Sequence, residues 1–231
     1  CGGTAGHVNP AVGLARIFQE RNPDCKVLFV GADGGMENHL VPKEGYEIRS
    51  VTITNFHRSF APADIAHNLG TVRNMVRSKQ QAARILDEFQ PDLVVGTGGY
   101  ASYPVVKEAA RRHIPTAIHE SNAVPGLTTK GLSKVVDRVM VGFEESRSHY
   151  DHPEKVVVTG TPVRGDFFRY TRQEAREKLG LTDERPLLLS YWGSLGAEVM
   201  NRRMVDFLER EAKEGAPFRH IQGAGRDYAW M

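Results

Sequence analysis

Residues 2–11 read Gly-Gly-Thr-Ala-Gly-His-Val-Asn-Pro-Ala, a glycine-rich turn that leads directly into an amphipathic helix. Glycine lets the backbone approach a ligand closely, and the unpaired N–H groups at the start of a helix attract anions. His7 lies at the mouth of the turn and can donate, accept or carry a proton near neutral pH. The stretch therefore predicts an anion-binding turn at the carboxyl edge of a parallel sheet.

The composition predicts a globular α/β protein and argues against several partners. With 231 residues and 40% hydrophobic content, the chain suits one large domain or two modest ones. A net charge of +2, without a long basic tract, argues against nucleic acid as a partner. Cys1 and Cys25 lack metal-type spacing and fit a reducing compartment. The sequence holds no apolar run near the roughly 18 residues that span a bilayer.

Short apolar runs alternate with helical patterns along the chain, which is typical of βαβ units around a mostly parallel sheet. The predicted strands are 26–31, 46–53, 92–95, 116–119, 138–141, 156–159, 186–190 and 219–222. The predicted helices are 9–20, 64–88 with a break near Gly70, 105–112, 128–134, 171–179 and 195–211.

Two glycines and a proline within residues 160–166 indicate a crossing between domains, predicted as 1–163 and 164–231. The second domain then has only two strands and two helices. Anion-binding turns of this kind usually follow a strand, whereas this sequence begins inside the turn. We therefore expect a first strand and most of the second domain to be missing, and the chain alone to be nearly inactive.

Two further glycine turns follow predicted strands, at residues 96–104 and 193–197. Ligands bind at the carboxyl ends of strands in such sheets, so the three turns together predict a cleft with phosphate contacts on both walls. A dinucleotide-binding protein is the natural alternative, with Asp33 as the carboxylate for the ribose. Neither residues 3–6 nor the turn that begins at Gly96 has the required G-x-G-x-x-G spacing.

Further motifs make the prediction more specific: His-Glu-Ser-Asn-Ala-Val-Pro-Gly at 119–126, Gly-Thr-Pro-Val-Arg at 160–164 and Gly-Ser-Leu-Gly-Ala at 193–197. With the turns at 2–7 and 96–100, the chain resembles the MurG family of N-acetylglucosaminyltransferases from end to end. The resemblance implies a glycosyltransferase B fold, with two Rossmann-like domains facing a cleft. It also implies inverting transfer of N-acetylglucosamine from UDP-N-acetylglucosamine to the muramic acid 4-hydroxyl of lipid I. The product, lipid II, serves peptidoglycan synthesis at the cytoplasmic face of the bacterial membrane, and the reaction needs no metal ion or cofactor.

Carried over by motif, the resemblance implies two binding sets. The residues of the donor set are Thr4, Ala5, Gly6, Asn122, Arg164 and Ser194. The residues around the acceptor diphosphate are Gly3, Gly6, Gly98, Gly99 and Tyr100. The chain departs from the usual family residues at Ala5, Thr161, Trp192 and Leu195. Alanine in place of glycine at position 5 requires a negative φ there.

The catalytic base is left between His7 and Glu120, while His119 is expected to hold its loop in place. Related sugar-nucleotide enzymes, such as a glycolipid glycosyltransferase or a UDP-N-acetylglucosamine 2-epimerase, remain alternatives, as does a non-catalytic binding subunit.

The segment between His57 and Arg84 carries five basic residues against one acid, with apolar residues interleaved. This composition suits either an ordinary solvated helix face or a surface that rests on anionic lipid. The basic residues are Arg58, Arg73, Arg77, Lys79 and Arg84, and the apolar ones are Phe56, Phe60, Leu69, Val72, Met75 and Val76.

Overall fold

A computed structural model describes residues 1–54, 62–163, 165–193, 196–225 and 227–230, with the backbone alone at 62–69, 72 and 166. The chain divides into two compact units, Cys1–Phe167 and Phe168–Met231. The predicted domain boundary and the roles given to each side stay predictions. Several positions of the sequence predictions lie outside the described residues: Phe56, His57, Arg58, Phe60, Arg164, Ser194 and Leu195.

The described part of the first unit holds six strands, all paired in parallel. β1 and β2 form one sheet, and the others form a second sheet in the order β3-β4-β5-β6. The strands are β1 Leu28–Ala32, β2 Glu47–Val51, β3 Val94–Gly96, β4 Thr116–Glu120, β5 Arg138–Val141 and β6 Val156–Val158. The predicted strands and the parallel α/β class are confirmed, because short β-branched runs between glycine turns suit buried parallel strands.

Helices follow most of these strands. They are α1 Ala5–Arg21, α2 Glu37–Lys43, α3 Pro62–Phe89, α4 Ser102–Arg111 and α5 Leu127–Ser133, with short 3₁₀ turns at Glu144–His149, Pro153–Lys155 and Gly165–Phe168. Short α2 was not predicted. The predicted break at Gly70 is wrong, since α3 runs through it. An exposed glycine in a helix costs only about 1 kcal/mol, less than burial of Ala82, Ile85 and Leu86 on the same helix contributes.

Buried apolar side chains on both sheets fix the strand ends that position the site. The larger sheet packs Ile118, Val139 and Val141 against Val106 of α4 and Leu132 of α5. Because the strands are parallel, β3 and β4 end at the same edge, and the loops that follow them leave the sheet together.

The second unit contains α6 Arg172–Lys178, β7 Leu187–Tyr191, α7 Glu198–Lys213 and β8 Arg219–Gly223 within its described residues. β7 and β8 pair in parallel, as predicted. A capping box starts α6, where Thr171 and Glu174 exchange side-chain and backbone hydrogen bonds. In the described part of the whole chain, no helix has both the length and the apolar character of a membrane span.

Candidate functional site

Two glycine turns of the first unit touch each other. Gly98 and Gly99, between β3 and α4, have φ of +93° and +77°. A Cβ on Gly99 would strike the Gly2 carbonyl oxygen, and one on Gly98 would lie 2.7 Å from Cδ2 of His7. The Thr97 hydroxyl also donates to the His7 carbonyl at 2.6 Å. The predicted association of the first two turns is therefore direct contact, and glycine alone permits it.

His7 lies half-buried at this contact, with its ring held in one orientation. Nδ1 lies 2.9 Å from the Gly2 carbonyl oxygen and 3.2 Å from the Thr4 hydroxyl. A carbonyl oxygen only accepts, so Nδ1 carries the ring proton. The neutral ring consequently keeps a lone pair on Nε2, which is the form that a general base requires.

Backbone amides with no acceptor among the described residues surround His7. α1 begins at Ala5 without a side-chain cap, and only the amides of His7 and Val8 turn back to the Thr4 carbonyl. The amides of Ala5 and Gly6 have no acceptor among the described residues. Ala5 does not have a positive φ, so alanine fits where the family usually has glycine.

The turn before α4 also has backbone amides without a hydrogen-bond acceptor in the described structure, at residues 98–101. The turns that precede α1 and α4 touch, so the partial positive charges of the two helix N-termini lie close to each other. The Tyr100 ring lies 3.4 Å from where a Cβ of Gly3 would stand. Burial, and next the charge of Glu37, raise the pKa of Tyr100, so its hydroxyl stays protonated.

Gly3 differs from the other residues predicted to contact a diphosphate. Its amide donates to Oε2 of Glu37 at 3.0 Å, so it is not available to a ligand. Sequence reasoning missed Glu37. The signal that could have found it is the pair of glycines at 31, within β1, and at 35, in the turn that follows, because both positions make room for this side chain.

Glu120, at the end of β4, is 3% exposed and closes its own loop. Oε1 accepts from the amide and the side chain of Asn122 at 3.1 and 2.7 Å, and Oε2 accepts from the Gly126 amide at 3.1 Å. Burial opposes ionisation of Glu120, but hydrogen bonds from Thr129, Asn122 and Gly126 outweigh it and lower its pKa. A carboxylate so fully bonded is a poor acceptor for a further proton.

His119 joins two loops rather than facing solvent. Its Nε2 donates to the Gly160 carbonyl at 2.9 Å, and the Ser121 hydroxyl lies 3.4 Å from Nδ1. Burial lowers the pKa of His119, which keeps the ring neutral. The contact links the end of β4 with the loop after β6.

In the second unit, Gly196 packs closely against the backbone that follows β8. A Cβ on Gly196 would strike the Ala224 carbonyl oxygen, and Asn201 donates to that oxygen at 2.8 Å. The Trp192 indole N–H is buried without a partner in the described structure.

Comparison with known proteins identifies the class. Residues 1–141 match the model of the glycosyltransferase family 28 N-terminal domain, so the chain belongs to this family. A protein of Thermoanaerobacter sp. (strain X514) is 43% identical over 212 residues, or 92% of this chain and 57% of the relative. A protein of Clostridioides difficile (strain 630) is 37% identical over 98% of this chain and 54% of its own length. Both are named UDP-N-acetylglucosamine–N-acetylmuramyl-(pentapeptide) pyrophosphoryl-undecaprenol N-acetylglucosamine transferase.

Solved structures give the same result. Acinetobacter baumannii MurG matches with a TM-score of 0.64 and 27% identity, over 97% of this chain and 59% of that one. A putative UDP-N-acetylglucosamine 2-epimerase of Listeria monocytogenes matches with a TM-score of 0.59 at 15% identity, which shows the fold alone. The predicted glycosyltransferase B fold and MurG resemblance are thereby confirmed. The chain spans between half and three-fifths of the length of these three MurG-type relatives.

Proposed function

We propose that this chain acts in transfer of N-acetylglucosamine from UDP-N-acetylglucosamine to the muramic acid 4-hydroxyl of lipid I, which gives lipid II. The observation that carries the proposal is the hydrogen bond of Nδ1 of His7 to the Gly2 carbonyl, which leaves Nε2 as the basic nitrogen of a ring that lies at the contact of the two glycine turns. The names of the relatives support the choice of substrates.

In this proposal the open amides of the two turns hold the acceptor diphosphate, with Gly6, Gly98, Gly99 and Tyr100 as its contacts. Nε2 of His7 then takes the proton of the 4-hydroxyl as that oxygen attacks C1 of the donor sugar. The bond from C1 to the UDP oxygen breaks, and the configuration at C1 inverts. We favour His7 over Glu120 as the base because the oxygens of Glu120 are already occupied.

The donor contacts remain as implied by the family resemblance. Thr4, Ala5, Gly6 and Asn122 would face the sugar. Arg164 and Ser194, outside the described residues, would bind the diphosphate of UDP, as a guanidinium does well.

The proposal also places the chain against the anionic cytoplasmic face of the membrane. On α3, Met75 and Val76 are 36% and 61% exposed beside the exposed cations Arg73, Arg77 and Lys79. A cavity of about 440 Å³ lies next to this surface, between α3 and α4. Exposed apolar side chains among cations are typical of a surface that rests on anionic lipid headgroups.

A transfer assay tests the proposal, with the longest protein that the gene for this chain encodes as the enzyme. Radiolabelled UDP-N-acetylglucosamine and a soluble lipid I analogue are the substrates. His7→Ala should lower turnover ~10²–10⁴-fold, as expected for a lost general base. His39→Ala, at an exposed histidine of α2, is the matched control and should keep turnover. Near-normal turnover of His7→Ala would rule out His7 as the base, and N-acetylmannosamine formed without acceptor would favour an epimerase.

A further inference from the structure

Glu37 is a fully buried carboxylate beneath the first glycine turn. It is 0% exposed, at the first position of α2. Its two oxygens accept from backbone amides, Oε2 from Gly3 at 3.0 Å and Oε1 from Ala32 at 2.8 Å. A Cβ on Gly2 or on Gly31 would strike this side chain. The surrounding backbone thus leaves a space that the carboxylate fills.

The carboxylate and His7 bind opposite ends of one peptide group. The Gly3 N–H and the Gly2 carbonyl belong to the same peptide bond. Glu37 accepts from the N–H end, and Nδ1 of His7 donates to the oxygen end. Because hydrogen bonds in a chain polarise one another, a negative charge at the N–H end makes the carbonyl a stronger acceptor.

We propose that Glu37 is a positioning residue for His7, acting through the Gly2–Gly3 peptide group. The carboxylate fixes the plane of that peptide, and the carbonyl then holds the ring proton on Nδ1 and leaves Nε2 free. The charge also stabilises the imidazolium that forms when Nε2 takes a proton. We call the path from Glu37 through the Gly2–Gly3 peptide group to His7 the relay. The inference rests on the proposed function only in taking the proton that Nε2 accepts to be that of the acceptor 4-hydroxyl. The relay itself can be measured without turnover.

The groups that surround the relay limit what else can act on His7. In a chain that begins at Cys1, burial lowers the pKa of the Cys1 amino group to about 6, and the charge of Glu37 opposes that shift. The Tyr100 hydroxyl stays protonated. The turn before α4 presents Gly98 and Gly99 to the ring, without charge.

Nitrogen-15 NMR of the imidazole measures the tautomer of His7 directly at alkaline pH, in this chain. The wild-type ring should be protonated at Nδ1. Glu37→Gln should move a substantial fraction of the population to the Nε2-protonated form, and Glu37→Asp should fall between them. Glu108→Gln, at another buried glutamate of the first unit, is the control and should leave the tautomer unchanged. An unchanged tautomer in Glu37→Gln overturns the inference.

A second measurement needs no change at Glu37 and serves where that variant fails to fold. The Gly3 amide nitrogen of the wild-type chain should shift as His7 is protonated, because both bind one peptide. The same step should vanish in His7→Gln, which separates it from titration of the Cys1 amino group. A Gly3 signal that does not follow His7 overturns the relay.

The two proposals fail in different ways. If His7→Ala loses turnover and the tautomer is unchanged in Glu37→Gln, His7 remains the proposed base and the role of Glu37 is ruled out. If the tautomer changes in Glu37→Gln and His7→Ala keeps normal turnover, Glu37 does position His7, but His7 is not the base.

Discussion

Glycines at 98 and 99 let two turns of the chain touch where any side chain would separate them. The constraint at Gly99 has two parts, a φ of +77° and a backbone oxygen in the place of a Cβ. Gly34 has a similar φ of +68° but open space around it. Substituting Gly34 and Gly99 in turn therefore distinguishes the free-energy cost of a positive φ from the cost of a steric clash between the two turns.

Gly34→Ala should destabilise the first unit by about 1–2 kcal/mol, which is the cost of a left-handed backbone for alanine. Gly99→Ala should add about 1–3 kcal/mol more, because the turns must move apart. Native-state hydrogen exchange of the amides of β4 measures both losses. Equal losses of stability in the two variants would contradict this prediction, because they would show that moving the turns apart costs no free energy.

An ion cluster around the buried carboxylate of Glu108 on α4 links this helix to α3. The side chain of Glu108 is 2% exposed and accepts from Arg111 at 2.6 Å and from Arg112 at 2.9 Å. Arg112 also pairs with Asp87 of α3 at 2.6 Å. Hydrogen bonds from Arg111 lower the pKa of Glu108 to about 2 against the opposing effect of burial, and Arg112 adds to the lowering.

The cluster should make the stability of the first unit sensitive to acid. The folded pKa of about 2 lies below the ordinary value of 4.5, so the stabilisation is complete above pH 4.5 and is lost as the pH falls towards 2. At pH 7, Glu108→Gln should cost about 1–3 kcal/mol of unfolding free energy, and this difference from wild type should shrink at low pH.

Hydrogen exchange of the β4 amides at pH 7 and near pH 3 makes this comparison. Glu88→Gln is the control, because that glutamate is 54% exposed and pairs with Arg49 at the surface. It should change stability by less than about 1 kcal/mol at either pH. A loss in Glu108→Gln that does not depend on pH would contradict the assignment to charge.

Charge at the scale of the whole molecule is nearly balanced, at +2 over 231 residues. Association with an anionic surface must therefore depend on where cations lie rather than on net charge. The exposed part of α3 concentrates them beside Met75 and Val76, whereas Arg21, Lys26 and Lys43 are exposed elsewhere on the first unit.

Neutralising Arg73, Arg77 and Lys79 together as glutamines should weaken binding to vesicles that contain phosphatidylglycerol. Each cation near such a surface contributes about 1 kcal/mol, so the loss is on the order of 100-fold. The triple glutamine variant of Arg21, Lys26 and Lys43 carries the same charge change and should bind as wild type does. Sedimentation with vesicles measures both variants. Equal losses, or wild-type binding that is as strong to neutral vesicles, would remove the docking surface.

The sequence alone was enough to predict the eight strands, because most of them are short apolar runs closed by a glycine turn or a helical pattern. It missed α2, since seven residues that contain Pro42 show too little periodicity. It also predicted a break at Gly70, because propensity is local whereas the packing of α3 is not.

For the candidate site, the residue types near the turns could be predicted from the sequence, but their contacts and hydrogen bonds could not. His7 and the glycines at 98 and 99 stand out as residues, but only tertiary contact shows that their turns touch. The carboxylate beneath the turn lies 34 residues from the amide that it accepts from, and Thr97 lies 90 residues from the carbonyl that it binds. Local sequence determined the strands and turns of this protein because their signals lie within a few residues. Only the tertiary structure decided which amides stay open and which nitrogen of His7 is free, since those depend on hydrogen bonds between distant segments.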